Sequence, residues 1–292
     1  MNKYAFFLGC NIPARVSQYE TASRMVLNRL GVELVDIRQF NCCGYPLRNS
    51  DSRAYLLSAV RNLALAEEQN LDILVLCQCC FGSLKKAAQL MAQGGSIQDE
   101  VHNFLASENL KYQGNVKIKH LLTVLNHDVG IDTIRQQLSS TFKDLKIAVQ
   151  YGCHGLRPSP VTQFDDPFNP SIFDELVMVT GAQSVDWPLK LECCGAPALG
   201  IDDDLSNSLA GKKILDGKKA GAQYLCTVCP YCHLQFDTVQ AMMLEQENLK
   251  EPLPAILYPQ LLGLGMGIDG DLLGLDQNQL EIGDIRNFLG KE

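Results

Sequence analysis

Two pairs of adjacent cysteines stand in the chain, in NCCGYP at 41–46 and in ECCGAP at 192–197. Neighbouring cysteines rarely join to each other, because their Cα atoms sit too close for a relaxed disulfide. A thiol nucleophile needs one cysteine, and a packed core asks for no doublet. The remaining cysteines extend the pattern. The first half carries Cys10, then Cys42 and Cys43, then a CxxC at Cys77 and Cys80. The second carries Cys153, then Cys193 and Cys194, then a CxxC at Cys229 and Cys232. Cys193 follows Cys42 by 151 positions, and Cys229 and Cys232 follow Cys77 and Cys80 by 152. Cys153 follows Cys10 by 143, so one short insertion separates two otherwise matched sets. The flanks repeat as well: YAFFLGCN (4–11) matches IAVQYGCH (147–154), and CCGYP matches CCGAP. The chain reads as a duplication, with Cys79 and Cys226 as unmatched leftovers.

Five thiols per half restrict the chemistry. Core packing does not demand cysteine at matched spacing, so only Cys79 and Cys226 read as small buried hydrophobes. Structural zinc takes four ligands in a tetrahedron, often from two CxxC pairs; each half offers one repeated CxxC and a thiol too many. An iron–sulfur cluster presents several irons, so adjacent thiolates can reach different atoms. Cubane clusters take four cysteines, and the ferredoxin run C-x₂-C-x₂-C-x₃-C is absent, since Cys226, Cys229 and Cys232 stop at three. The set therefore points to a cluster of uncommon shape, with a zinc-bound scaffold as the competing reading. The glycine after each doublet lets backbone approach closely, and Pro46 and Pro197 stiffen the turn.

The elements that must hold these thiols also repeat. KYAFFLG and KIAVQYG are short apolar runs ending in glycine and read as buried strands. Helical spacing covers 17–30, 52–70 and 204–220. LDILVLC and AQYLC read as strands running into each CxxC, with helices after them near 81–93 and 231–247. Strand–helix alternation predicts two α/β units with largely parallel sheets, and sites in such sheets lie at strand ends. Residues 95–145 read as a polar, mostly helical connector, and 156–172, with four prolines, as a loop. The expected division is 1–145 and 146–292. Gly265, Gly267 and Gly270 form a G-x-G-x-x-G run, but a dinucleotide site needs a strand before it and a helix after it. Here the run follows a helix, PQLLGLG.

Composition sets the outer bounds. Of 292 residues, 46% are apolar and 20% charged, which is a globular composition. A net charge of −8 without a basic cluster argues against nucleic-acid binding. No apolar run is long enough to span a bilayer. The apolar stretch before Cys10 is too short for a signal core, so a cytoplasmic location is expected. Twelve cysteines there point to metal or redox chemistry rather than structural disulfides.

The two cysteine series, together with GCHGLRPS (152–159), FDDPFNP (164–170) and QLLGLGMGID (260–269), resemble the duplicated cysteine-rich CCG domain. With no other domain motif in the sequence, the chain closely resembles the B subunits of heterodisulfide reductases. The resemblance implies two pseudo-symmetric CCG domains, each a small, largely parallel sheet flanked by helices. It further implies two non-cubane 4Fe–4S clusters, one on Cys10, Cys42, Cys43, Cys77 and Cys80, the other on Cys153, Cys193, Cys194, Cys229 and Cys232. The implied activity is cleavage of a disulfide into two thiols, each cluster delivering one electron. In methanogens that disulfide joins coenzyme M and coenzyme B. The implied partners are a small subunit with cubane 4Fe–4S clusters and a flavin-containing subunit. An electron-relay subunit without its own soluble disulfide is the alternative. His154 and His233, each next to a ligand position, are candidate proton donors or hydrogen-bond donors to sulfur. Arg157 and either Lys212 or Lys213 are candidates for holding an anionic substrate tail.

Overall fold

The computed structural model describes residues 2–290. The first half runs β1 (Lys3–Phe7), α1 (Ser17–Arg29), β2 (Glu33–Val35), α2 (Ser52–Glu68), β3 (Asp72–Val75), α3 (Gln78–Gln93) and β4 (Ile118–His120). Its four strands pair in parallel in the order β2-β1-β3-β4, with Tyr4 opposite Asp72 and Ile73 opposite Ile118. After β5 (Thr141–Phe142) the second half repeats the plan: β6 (Lys146–Gln150), α4 (Ile172–Val179), β7 (Gln183–Val185), α5 (Asp203–Lys219), β8 (Tyr224–Thr227), α6 (Pro230–Leu234), β9 (Ala255–Leu257) and α7 (Tyr258–Gly265). Its sheet, again parallel, has the order β7-β6-β8-β9, the same permutation as the first. The protein is thus an α/β duplication. Central strands covered by helices on both faces must be apolar throughout, and β3 and β8 show it: Ile73, Leu74, Val75, Leu225 and Cys226 are all inaccessible to solvent.

The connector departs from expectation in one respect. Residues 95–145 hold helices, among them Ser96–Ser107, but also β4, which completes the first sheet. Three residues, two of them polar, carry no readable alternation. The stretch 156–172 is mostly irregular, as expected, with one-turn helices at Cys153–Leu156 and Ser159–Thr162. The glycine run at 265–270 follows the end of α7 instead of opening a helix, so it lacks the setting of a dinucleotide loop.

Sequence does not foretell how the halves interlock. The helical run after β4 packs on α4 of the second half, and α7, which follows β9, packs on α1 of the first. Tyr258 at the start of α7 donates its hydroxyl hydrogen to the Leu176 carbonyl, 2.8 Å away. A short antiparallel pair, β5 with β10 (Leu289–Gly290), ties Leu289 and Gly290 to the segment between the halves.

Candidate iron–sulfur centre

All ten repeated cysteines lie on the segments that leave the carboxyl ends of strands. Cys10 and Cys153 follow β1 and β6; Cys77 and Cys229 follow β3 and β8 and stand at the N-caps of α3 and α6. Open α/β sheets place sites beyond the carboxyl ends of their strands. Amide dipoles at the start of α3 favour negative sulfur there.

The doublets turn on their glycines. Gly44 (φ +78°) and Gly195 (φ +89°) sit in the left-handed region. A Cβ at Gly44 would lie 2.8 Å from the Tyr55 carbonyl oxygen in α2, and one at Gly195 2.6 Å from that of Ser206 in α5. The close approach expected of these glycines is therefore made to the following helix. The Gly195 amide donates to Cys193 Sγ at 3.4 Å. Gly9 faces the sulfurs directly, for a Cβ there would come within 2.9 Å of Cys80 Sγ.

The thiols form one row through both halves. Cys42 Sγ lies 3.9 Å from Cys10 Sγ; Cys42 neighbours Cys43, Cys43 neighbours Cys80, and Cys80 neighbours Cys77. In the second half Cys153 meets Cys193, Cys193 meets Cys194, Cys194 meets Cys232, and Cys232 meets Cys229. The rows join where Cys77 Sγ and Cys229 Sγ approach to 4.0 Å. Cys79 stands at that junction: its sulfur and those of Cys77 and Cys229 all lie within 4.8 Å of one another. Cys79 is buried, as expected of a small hydrophobe, but the first turn of α3 also turns it toward the other half. Cys226, fully buried in β8, does belong to the core.

Charge in the row is uneven in the same way in both halves. The hydrogen bond from Cys10, then that from Cys43, pulls Cys42 down to about 2; Cys153 and Cys194 do the same to Cys193, also to about 2. Cys10 and Cys153 are pushed up, first by these same bonds and then by burial. Cys194 rises to about 12 beside Cys193, and Cys80 and Cys232 are also raised. Protein alone thus lets only some of these sulfurs ionise. Ten thiolates at such spacing repel one another unless soft cations lie among them. That donor set fits iron–sulfur ligation by thiolate.

Of the two candidate histidines, only His154 reaches sulfur. Its Nδ1 lies 3.5 Å from Cys153 Sγ and 3.6 Å from Cys79 Sγ, and its Nε2 3.3 Å from the Tyr45 hydroxyl. Gly82 in α3 admits the loop, since a Cβ there would stand 2.6 Å from the His154 carbonyl oxygen. His233 faces away, with Nδ1 3.5 Å from the Thr227 hydroxyl and Nε2 3.8 Å from an Asp237 carboxylate oxygen. Burial pushes His233 down to about 3, so it stays neutral.

The candidate cations part company too. Arg157 lines a cleft of about 610 Å³ with Arg48, Lys86, Tyr55, Gly82 and His154, and among the described residues no carboxylate lines it. Lys212 is exposed. Lys213 is 1% exposed, with its ammonium 4.5 Å from the Trp187 ring centroid and donating to the Leu189 carbonyl. Burial brings it down to about 8, against the opposing pull of Cys232 and Cys194. Arg48, Lys86 and Tyr45 carry no repeat signal, because the second half has Ala196 where the first has Tyr45. A separate cleft of about 440 Å³ at Glu67, Glu68 and Asp72 opens at the start of β3, the end of the sheet opposite Cys77.

Comparison with known proteins agrees with the geometry. The CCG cysteine-rich domain matches residues 4–85 and again 147–237. The B subunit of the ferredoxin:CoB-CoM heterodisulfide reductase of Methanosarcina mazei is 34% identical over 96% of this chain and 95% of its own. A protein of Archaeoglobus profundus, described as like the heterodisulfide reductase B subunit, is 34% identical over 92% of each chain. The 8-methylmenaquinol:fumarate reductase membrane anchor subunit of Wolinella succinogenes is 32% identical over 96% of this chain and 97% of its own. A solved structure of a hypothetical protein from Helicobacter pylori, 16% identical, superposes with a TM-score of 0.75 over 96% of this chain. The chain spans about half that protein, 52% of its length, and the likeness is one of fold. Two matched CCG segments, one on each thiol series, and relatives aligned nearly end to end place this chain in the duplicated CCG cysteine-rich domain family of heterodisulfide reductase B-type subunits.

Proposed function

We propose that the chain is the disulfide-cleaving iron–sulfur subunit of a heterodisulfide reductase-type complex. The observation that carries this reading is the junction of the two thiol rows, with Cys77 and Cys229 4.0 Å apart and Cys79 beside them. Cys10, Cys42, Cys43, Cys77 and Cys80 would hold one non-cubane 4Fe–4S cluster, and Cys153, Cys193, Cys194, Cys229 and Cys232 the other. When bound, the two clusters supply one electron each, the two that a disulfide takes up. The protein's own task is to hold the substrate and to exclude water around it. His154 stands where it can give a hydrogen bond to a product sulfur. Arg48, Lys86 and Arg157 suit a substrate with anionic groups, the coenzyme M–coenzyme B disulfide or a related one. Electrons would come from a small subunit with cubane clusters and, behind it, a flavin subunit.

The fumarate reductase relative favours a second reading, an electron-relay subunit of a quinol-linked complex. Among the described residues no helix is long and apolar enough to cross a membrane, so such a subunit would meet the membrane through partners. Anaerobic purification of the native complex separates the readings. About eight irons and eight acid-labile sulfides per chain beyond those of the cubane-cluster subunit, four for each of two clusters, with turnover of a soluble disulfide, support the first. The same metal content without turnover against a panel of disulfides supports the relay. Zinc without sulfide would end both.

A further inference from the structure

The two half-sites match in thiols but not in buried charge. Asp51 caps α2 through the Ala54 amide, and Asp202 caps α5 through the Leu205 amide. Eleven residues after each cap stands a buried polar side chain, Asn62 in the first half and Lys213 in the second. Asn62, fully buried, is satisfied as a neutral amide: it donates to the carbonyls of Cys42, Ser58 and Asn41 and accepts the Asn41 amide. Lys213 has the Leu189 carbonyl and the Trp187 ring, and among the described residues no carboxylate forms an ion pair with it. A buried ammonium without an anion is costly. Cys193 and Lys213 follow Cys42 and Asn62, respectively, by the same 151 positions, so Lys213 stands in the second half where Asn62 stands beside Cys42 in the first. The sulfurs of Cys232 and Cys194 act on it against the effect of burial.

We infer that Lys213 is a positioning charge that holds the second centre at a higher reduction potential than the first. This rests on the iron–sulfur reading above. The physical reason is direct. An electron added beside a desolvated cation is stabilised by Coulomb attraction at low effective dielectric, and the amide of Asn62 offers no such charge. The duplication alone would make two equal sites. The Asn62/Lys213 difference gives the pair a direction, with the second centre the first to be reduced.

Potentiometric titration of the native complex, followed by electron paramagnetic resonance, tests this. Beside the signals of the cubane clusters in the partner subunit, the wild type should show two midpoints from this chain. In Lys213→Met the upper one should fall by at least a tenfold change in oxidised-to-reduced ratio, 59 mV for one electron, with the lower one unmoved. Lys213→Arg should keep the gap. In Asn62→Lys the lower midpoint should rise, and this arm decides the matter if the methionine variant does not accumulate. Coincident wild-type midpoints, or an upper midpoint indifferent to Lys213→Met, would overturn the assignment. A wild type without iron and sulfide would instead defeat the cluster reading.

Discussion

Cys77 and Cys229 face each other at 4.0 Å although 152 residues of chain separate them. One side chain lies against both strand ends. The Tyr19 hydroxyl lies 2.9 Å from the carbonyl oxygens of both Leu76 and Val228, the residues just before these cysteines. His120 sharpens the assignment. Its Nδ1 accepts the Leu122 amide, so its proton is on Nε2, 3.2 Å from the Leu76 carbonyl. His120 therefore serves Leu76, and Tyr19 is left to donate to Val228. One helix of the first half thereby fixes a strand end of the second.

Removing that hydroxyl leaves the buried Val228 carbonyl without its donor. Tyr19→Phe should cost about 1–3 kcal/mol, read by denaturant unfolding of the purified chain. Disulfide turnover should fall further than iron content, since each thiol set stays whole while their junction loosens. Unaltered stability in Tyr19→Phe would remove the clamp.

His120 predicts a pH dependence. Burial holds its imidazole near 4, against 6.5 when exposed. Between these values the unfolded chain takes a proton that the folded chain refuses. Stability from this residue is therefore complete above pH 6.5 and is lost as pH falls toward 4. The full shift is worth about 3 kcal/mol at 1.36 kcal/mol per unit. Comparing unfolding free energies of the metal-free wild type and His120→Gln at pH 7 and pH 4.5 isolates this part. Parallel pH profiles in the two chains would show that His120 does not carry it.

Much of this was legible in the amino acids, and the exceptions have a common cause. The duplication, the strand into each CxxC and the helices near 52–70 and 204–220 could be read, because they are local patterns or matched spacings. β4 was not, since three residues have no period, and neither was the packing of α7 on α1, which no local rule encodes. Cys79 was missed because repeat logic discards an unmatched residue, although its place in the first turn of α3 beside Cys77 was in plain view. His154 and His233 looked equivalent, each following a ligand position. Tertiary structure alone parts them, turning one to the sulfurs and the other to Thr227 and Asp237.

The doublet glycines should be intolerant of any side chain, and each should report on its own half. Gly195→Ala meets both a left-handed backbone and the Ser206 carbonyl oxygen 2.6 Å from the new Cβ. The conformation alone costs about 1–2 kcal/mol, and the contact adds to it. The expected result is loss of the second centre with retention of the first, read as about half the wild-type iron and sulfide, four irons of eight. Gly44→Ala should produce the converse loss. Full metal content in both variants would mean that neither turn shapes its thiol set.

The cleft at Arg48, Lys86 and Arg157 makes a kinetic prediction. These cations stand at the edge of the site and hold no carboxylate within the cleft. Groups that bind a distant anionic tail act equally on ground and transition states, so their loss raises KM and spares kcat. Arg157→Gln and Lys86→Gln should each raise KM for an anionic disulfide roughly tenfold, about 1.4 kcal/mol. A neutral disulfide should be turned over by the variants as by the wild type. Added salt should weaken the wild type toward the variants, because exposed charges are screened over about 10 Å at 0.1 M ionic strength. If the variants lost as much on the neutral substrate as on the charged one, the cleft would be structural, and the anionic tail would have to be held elsewhere.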